Sequence, residues 1–283
     1  MDNLAFKPEY NLLEHAFLGY PLEKYFFPKL SILAQLAKEE PWDFKTPKFK
    51  DPSNPYPILY NYFNYTYDRL FLEGKIAISD DKSAMCFNTG LQTYNEEDIF
   101  ALFSRNNKYP HETNKQWWFV KFCVQSDREM VEKFNKPPEI ANYIENAADL
   151  VFDKKLLPIK IYYDHIIDDN YDRFVSVIGI ENKHMLSQLL QVAVQRGEQR
   201  AIRNYKIAIP QLYTDKISGN SKIQLLLPLF IQSPSRADLA LVVEKVNAGN
   251  SQAYIGKTVL PLDWAYMNSR RIVRPDIDWI SII

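Results

Sequence analysis

A chain of 283 residues in which 34 Lys plus Arg face 35 Asp plus Glu has a formal charge of −1. That balance excludes a globally basic nucleic-acid coat and confines any anion-binding surface to a local patch. Hydrophobic residues at 46% and charged residues at 24% are those of an ordinary globular protein with a substantial core.

From the N-terminus, residues 8–37 read as one or two short helices interrupted by Pro21 and Pro28, and a loop rich in Pro and Lys follows. The spacing of Leu59, Tyr62, Phe63, Tyr67, Leu70 and Phe71 predicts a helix over 58–72. KIAIS, a turn at Asp80-Asp81-Lys82 and SAMCFNTG predict a hairpin. A short helix is expected from Glu96 to Phe103 and a strand from Trp117 to Val124. Residues 137–158 read as helix plus loop, with AADLVFD extended or turned.

The acidic segment IYYDHIIDDNYDRF opens the second half and leads into a long basic helix, Met185 to Tyr205. Four strand-like runs follow, at 207–213, 223–230, 237–246 and 252–260, with turn residues Gly219-Asn220 and Asn247-Ala248-Gly249 between two of the pairs. Consecutive strands without intervening helices imply an antiparallel meander. IQLLLPLF is apolar nearly throughout and reads as a central strand, with a bulge expected at Pro228. Helices before and after such a sheet give an α+β fold. A single compact domain over 1–283 is expected, with 1–150 (helix and hairpin region) and 151–283 (sheet platform) as its sub-division.

Several chemistries are excluded by what is missing. Eight glycines, none clustered, form neither a GxGxxG turn nor a Walker loop, which removes dinucleotide-binding dehydrogenases, P-loop ATPases and protein kinases. His15, His111 and His184 are scattered and no serine stands in a GxSxG elbow. The opening MDNLAFKPEY has no signal-peptide pattern, and no apolar run approaches the ~20 residues of a membrane span. Only Cys86 and Cys123 occur. Together these features set the expectation of a reduced, cytoplasmic protein without membrane partners, in which the Asn64-Tyr65-Thr66 sequon is chance.

Two arginine groups carry the functional expectation. Arg196, Arg200 and Arg203 recur at helical spacing, with Lys206 near them, and Arg270, Arg271 and Arg274 crowd the end of a second basic helix. Guanidinium forks grip phosphates bidentately and a row of them can follow a nucleic-acid backbone. In this reading Arg200, Arg203 and Arg270 hold phosphates, Asn204, Gln211 and Asn268 contact base or sugar, and Tyr205 or Tyr266 stacks a base. A solvated helix face accounts for the same stripe, and pairing of the arginines with Asp238, Glu244 and the acidic segment would make them structural. Asp164, His165, Asp168 and Asp169 offer an enzymatic alternative. His165/Asp169 and Asp164/Asp168 are four apart, so on a helix either pair could share Mg²⁺ or Mn²⁺, as in a metal-dependent nuclease or phosphodiesterase. Acids there also serve simply as caps or loop linings.

At these residues the chain resembles a known family. NPYPILYNYFNYTYDRL, EGKIAIS, FNTGL, YYDHIIDDNYDRF, AIRNYKIAIPQLY, KIQLLLPLF, ADLALVVEK and TVLPLDWAYMNSRRIVRPDIDW follow in order the pattern of domain-of-unknown-function family 3825, from about Leu30 onward. Matching positions include Asn88, Asp164, Asn170, Arg173, Arg203, Asn204, Tyr205, Gln211, Asp238, Asp263, Tyr266, Asn268 and Arg274. Members occur fused to LOTUS-type winged helices or cold-shock domains, so the resemblance implies RNA binding. It implies no catalytic residue.

Overall fold

The structure, a computed structural model, describes residues 12–18, 22–43, 54–107, 114–156, 158–215, 221–249, 251–275 and 279–280. The expected breaks or turns at Pro21 and Gly219-Asn220, most of the Pro- and Lys-rich loop, and His111 lie outside them. The fold is α+β and divides into two compact units, Met1–Tyr143 and Ile144–Ile283.

The first unit holds α1 (Leu12–His15), β1 (Ala16–Phe17), α2 (Leu22–Leu36), α3 (Pro57–Leu72), β2 (Ala77–Ile78), β3 (Ala84–Gln92), β4 (Asp98–Arg105), β5 (Trp117–Val124) and α4 (Arg128–Lys133). Its sheet runs β1-β5-β4-β3-β2, with β1 parallel to β5 and the other pairs antiparallel. α3 starts on Pro57, where a missing N–H costs nothing. The expected hairpin is β2–β3, and Asp81 ties its turn by accepting from Ser79 and Ser83. α2 runs through Pro28 rather than breaking there.

The expected helix at Glu96–Phe103 is strand β4. Phe100 and Leu102 face one way, packing with Ala84, Cys86, Cys123 and Met130 of α4. Phe103 faces the other way, against Phe87 and Phe119. A strand covered on both faces shows a continuous apolar run with no period of two, and that is the pattern misread as a turn of helix. Both cysteines are free and buried.

The second unit holds 3₁₀ turns at Ala147–Leu150, Lys154–Leu156 and Tyr205–Ile207, with α5 (Tyr163–Ile178), α6 (Lys183–Arg203), β6 (Ile209–Thr214), β7 (Ser221–Leu229), β8 (Leu239–Ala248), β9 (Ser251–Pro261) and α7 (Leu262–Arg270). The strands form the expected antiparallel meander in the order β6-β7-β8-β9. Leu225, Leu227 and Leu229 of β7 and Leu239, Leu241 and Val243 of β8 pack with Phe174 of α5 and Leu186, Leu190 and Ala193 of α6. Gly197 lets α6 approach closely: a Cβ there would stand 3.1 Å from the Pro228 carbonyl oxygen.

No bulge occurs at Pro228, which pairs in register with Ala240. β6 ends opposite Leu226, so Pro228 lies where the outer edge of β7 has no strand to receive an N–H. The irregularity falls instead between Val242 and Val243, on the β8–β9 pair. Among the described residues no helix is long and apolar enough to cross a membrane.

Candidate functional site

α6 is built by its buried stripe. Leu186, Leu190, Ala193, Val194, Gly197 and Ala201 recur every three or four residues and are buried, which fixes the residues left outside. Arg196 and Arg203 are exposed and Arg200 is half-buried. Glu198, the single acid of this stretch, turns away and accepts a 2.7 Å hydrogen bond from the Ile159 backbone N–H. Among the described residues Arg203 donates only to the carbonyl of Gln199 in its own helix. Arg200 lies over the Phe230 ring, 3.7 Å from its centroid, and donates to the Pro234 carbonyl oxygen at 2.5 Å. It therefore anchors the loop that carries the exposed Arg236.

Asp238 shapes the same loop, accepting from the N–H groups of Ile231 and Gln232 at 2.8 and 2.9 Å. It stands before β8 as a loop cap and is no partner for the arginines. Among the described residues, Arg196, Arg203, Lys206 and Arg236 form no ion pair. α6 ends at Asn204, the C-cap, whose side-chain oxygen accepts from Lys206 N–H and so turns the chain into its 3₁₀ turn. Tyr205 stands on that turn, 62% exposed. Arginines here also complement the carbonyl end of the helix, but Arg196 lies two turns earlier, where that effect has faded.

The second arginine group is placed differently. α7 packs on β6, β8 and β9, and its Asn268 donates to Gln211 at 3.3 Å. Gln211 is opposite Gln224 on β7, and that row alternates with the leucines that face α6. The sheet therefore separates the end of α7 from the basic row of α6. Tyr266, Arg270 and Arg271 are buried and held by internal contacts. Arg270 as a phosphate ligand and Tyr266 as a stacking ring both require solvent access, and neither has it.

Gln211 and Asn268 are likewise occupied. Asn268 donates to Gln211, Gln211 to Gln224 at 3.0 Å, and Gln224 to Glu244 at 2.7 Å, where Lys222 adds a second bond of 2.7 Å. Every donor in this ladder points towards the Glu244 carboxylate. Burial opposes ionisation of Glu244, but the bonds from Lys222 and Gln224, with the charges of Lys222 and Lys257, outweigh it and hold its pKa below the usual carboxylate range. Of the remaining rings, Tyr254 is buried and stacked on Phe152, and Tyr213 is partly exposed beside the Lys222 ammonium.

Asp164, His165, Asp168 and Asp169 are all exposed on α5. Asp168 is paired with Lys183 at 2.6 Å. Among the described residues no three His, Cys, Asp or Glu side chains come together as a metal-holding group. Residues four apart on an outward face share a side of the helix without a second element to complete the coordination sphere. Arg236 is the basic residue the sequence did not reveal; a lone arginine in a Ser- and Pro-containing loop carries no signal until Arg200 fixes that loop.

The model of the family described as Domain of unknown function (DUF3825) matches residues 33–279, and the chain belongs to that family. No curated protein and no solved structure matches the chain.

Proposed function

We propose that this DUF3825 domain binds RNA through the outward face of α6. Phosphates would lie against Arg196, Arg203, Lys206 and Arg236, with an unpaired base stacked on Tyr205. The observation that carries the reading is the row of unpaired basic groups ending in an exposed aromatic ring, on a chain whose overall charge is −1. Ordinary surface cations are interspersed with acids. Here the one acid of the stretch is turned inward, so the positive potential is not cancelled locally.

Arg200 contributes charge to this face while its fork is committed to Pro234. Asn204 keeps its amide donors, since only its oxygen serves the cap. The reading places the partner at one helix edge and its following turn, a footprint suited to a few nucleotides of single strand.

The test is fluorescence anisotropy with a short single-stranded RNA across a salt series. Replacing Arg196, Arg203 and Lys206 together by Ala should weaken binding and lower the salt slope by roughly 2, at about 0.7 per phosphate contact. Unchanged affinity and slope, or no binding by the intact protein at low salt, would remove RNA from this face.

A further inference from the structure

We propose that Arg173 forms a second anion seat, one that takes a phosphate group. Arg173 lies half-buried on α5, the helix that packs on β9, and not on α6. Its Nη1 alone makes three hydrogen bonds, to Asn170 Oδ1 at 2.5 Å, Val259 O at 2.7 Å and Thr258 Oγ1 at 3.2 Å. Thr258 in turn donates to Asn170 Oδ1 at 2.7 Å, so both neighbours are oriented to receive the cation. The Trp264 ring covers the guanidinium, its centroid 5.1 Å away.

All the acceptors are neutral. Burial lowers the pKa of Arg173 and no neighbouring carboxylate raises it. Asp169 and Asp172, the acids nearest along α5, are exposed and form no ion pair with it, and Lys257 next to Thr258 adds a further exposed positive charge. A half-buried cation without an anion carries an uncompensated desolvation cost, which a bound anion relieves.

The geometry sets how the anion is held. With Nη1 pinned, Nε–H and Nη2–H have no acceptor among the described residues. They form the side-on edge that meets two oxygens of one phosphate or carboxylate in parallel hydrogen bonds. Merely tying α5 to β9 would need only Nη1. The kink at Asn170, whose φ of −124° and ψ of 17° depart from helix, sits where its amide oxygen must reach Arg173 while its nitrogen donates to Ile166 O. The phosphate could belong to a mononucleotide or to the end of an RNA strand, and the same fork would hold either.

The experiment is a titration of the full chain, isotopically labelled, with inorganic phosphate against chloride at matched ionic strength, following arginine Nε–H resonances. The Arg173 signal is identified by its loss in Arg173→Lys. Expected is a saturable shift of that resonance with smaller changes at Arg196 and Arg203. In calorimetry Arg173→Gln should lower phosphate affinity about tenfold or more, since hydrogen bonds to a charged group are at stake. Adenosine monophosphate compared with 5′-phosphorylated and 5′-hydroxyl RNA then separates the two sources. No saturable shift, or equal shifts at all surface arginines, overturns the seat. Because the shift is read in the unaltered protein and the resonance is also assigned by through-bond correlation to the Arg173 backbone, misfolding of the variants would not hide that result. Removing the α6 basic row should leave the phosphate titration of Arg173 unchanged.

Discussion

On α6, Arg196 and Arg203 stand in solvent without an ion pair among the described residues, whereas at the end of α7 Arg270 and Arg271 are only 6% and 7% exposed and engaged inside the protein. Along the chain the two groups look alike: basic residues late in a helix, with polar neighbours. A buried guanidinium survives only if its charge and its donors are satisfied internally, so Arg270 and Arg271 belong to the architecture. An exposed one costs the fold little and remains available to a partner. The same residue type thus serves stability on one face of the sheet and is free for binding on the other.

The largest effect that would break this comparison is on stability. Arg270→Ala is expected to cost about 3 kcal/mol, because removing a buried guanidinium leaves the groups that satisfy it unpaired, measured by urea denaturation. Arg203→Ala in the same assay should leave the midpoint unmoved. Equal losses in both would end the distinction.

Next is the ladder that runs beneath α7. Glu244→Leu leaves Gln224 and Lys222 without their acceptor and should cost about 2 kcal/mol. The pH dependence sharpens the point. The folded pKa of Glu244 lies below its unfolded value, about 4.3, so its contribution is fully present above that pH and is lost as pH falls through the lower folded value. Glu244→Gln should therefore flatten the acid limb of the stability curve, and an unaltered acid limb would show that Glu244 ionises as it does in the unfolded chain.

Smaller still is Tyr205→Ala, expected to weaken single-stranded RNA binding by about 1 kcal/mol while Tyr205→Phe is silent, because stacking uses the ring and not the hydroxyl. A matching loss in Tyr205→Phe would point to a hydrogen bond instead. The smallest is Gln211→Met, which should leave RNA affinity unchanged while affecting stability, since Gln211 spends its groups on Gln224 and Asn268. A fall in affinity without a fall in stability would return Gln211 to the binding surface.

Much of the fold was legible because periodicity reports burial on one side. The 58–72 helix follows from it, while the hairpin across Asp80-Asp81-Lys82 and the four strands of the meander follow from apolar runs separated by turn residues, with boundaries shifted by a residue or two. Burial on both sides removes the alternation, and at β4, whose Ile99, Phe100, Ala101, Leu102 and Phe103 are all buried, the apolar run by itself does not tell strand from helix. The unbulged Pro228 differs from expectation because a strand proline's cost depends on which neighbouring strand its absent N–H would have met, and that strand is distant in sequence. In α2 the lost partner is only the carbonyl four residues earlier, and the helix continues through Pro28.

The candidate site divides in the same way. Spacing alone placed Arg196, Arg200 and Arg203 on one side of a helix, and the 3.6-residue period leaves no other arrangement once Leu186, Leu190, Ala193 and Ala201 are buried. Composition likewise limited any basic surface to a patch. Only the tertiary structure turned Glu198 inward, drew the Arg236 loop onto Arg200, consumed Gln211 and Asn268 in a ladder and put a sheet between the two arginine groups. Those outcomes depend on which strand follows which across the sheet and on which face each helix covers. Such long-range choices are set by packing and by the pairing of buried polar groups, and no local pattern of residues records them.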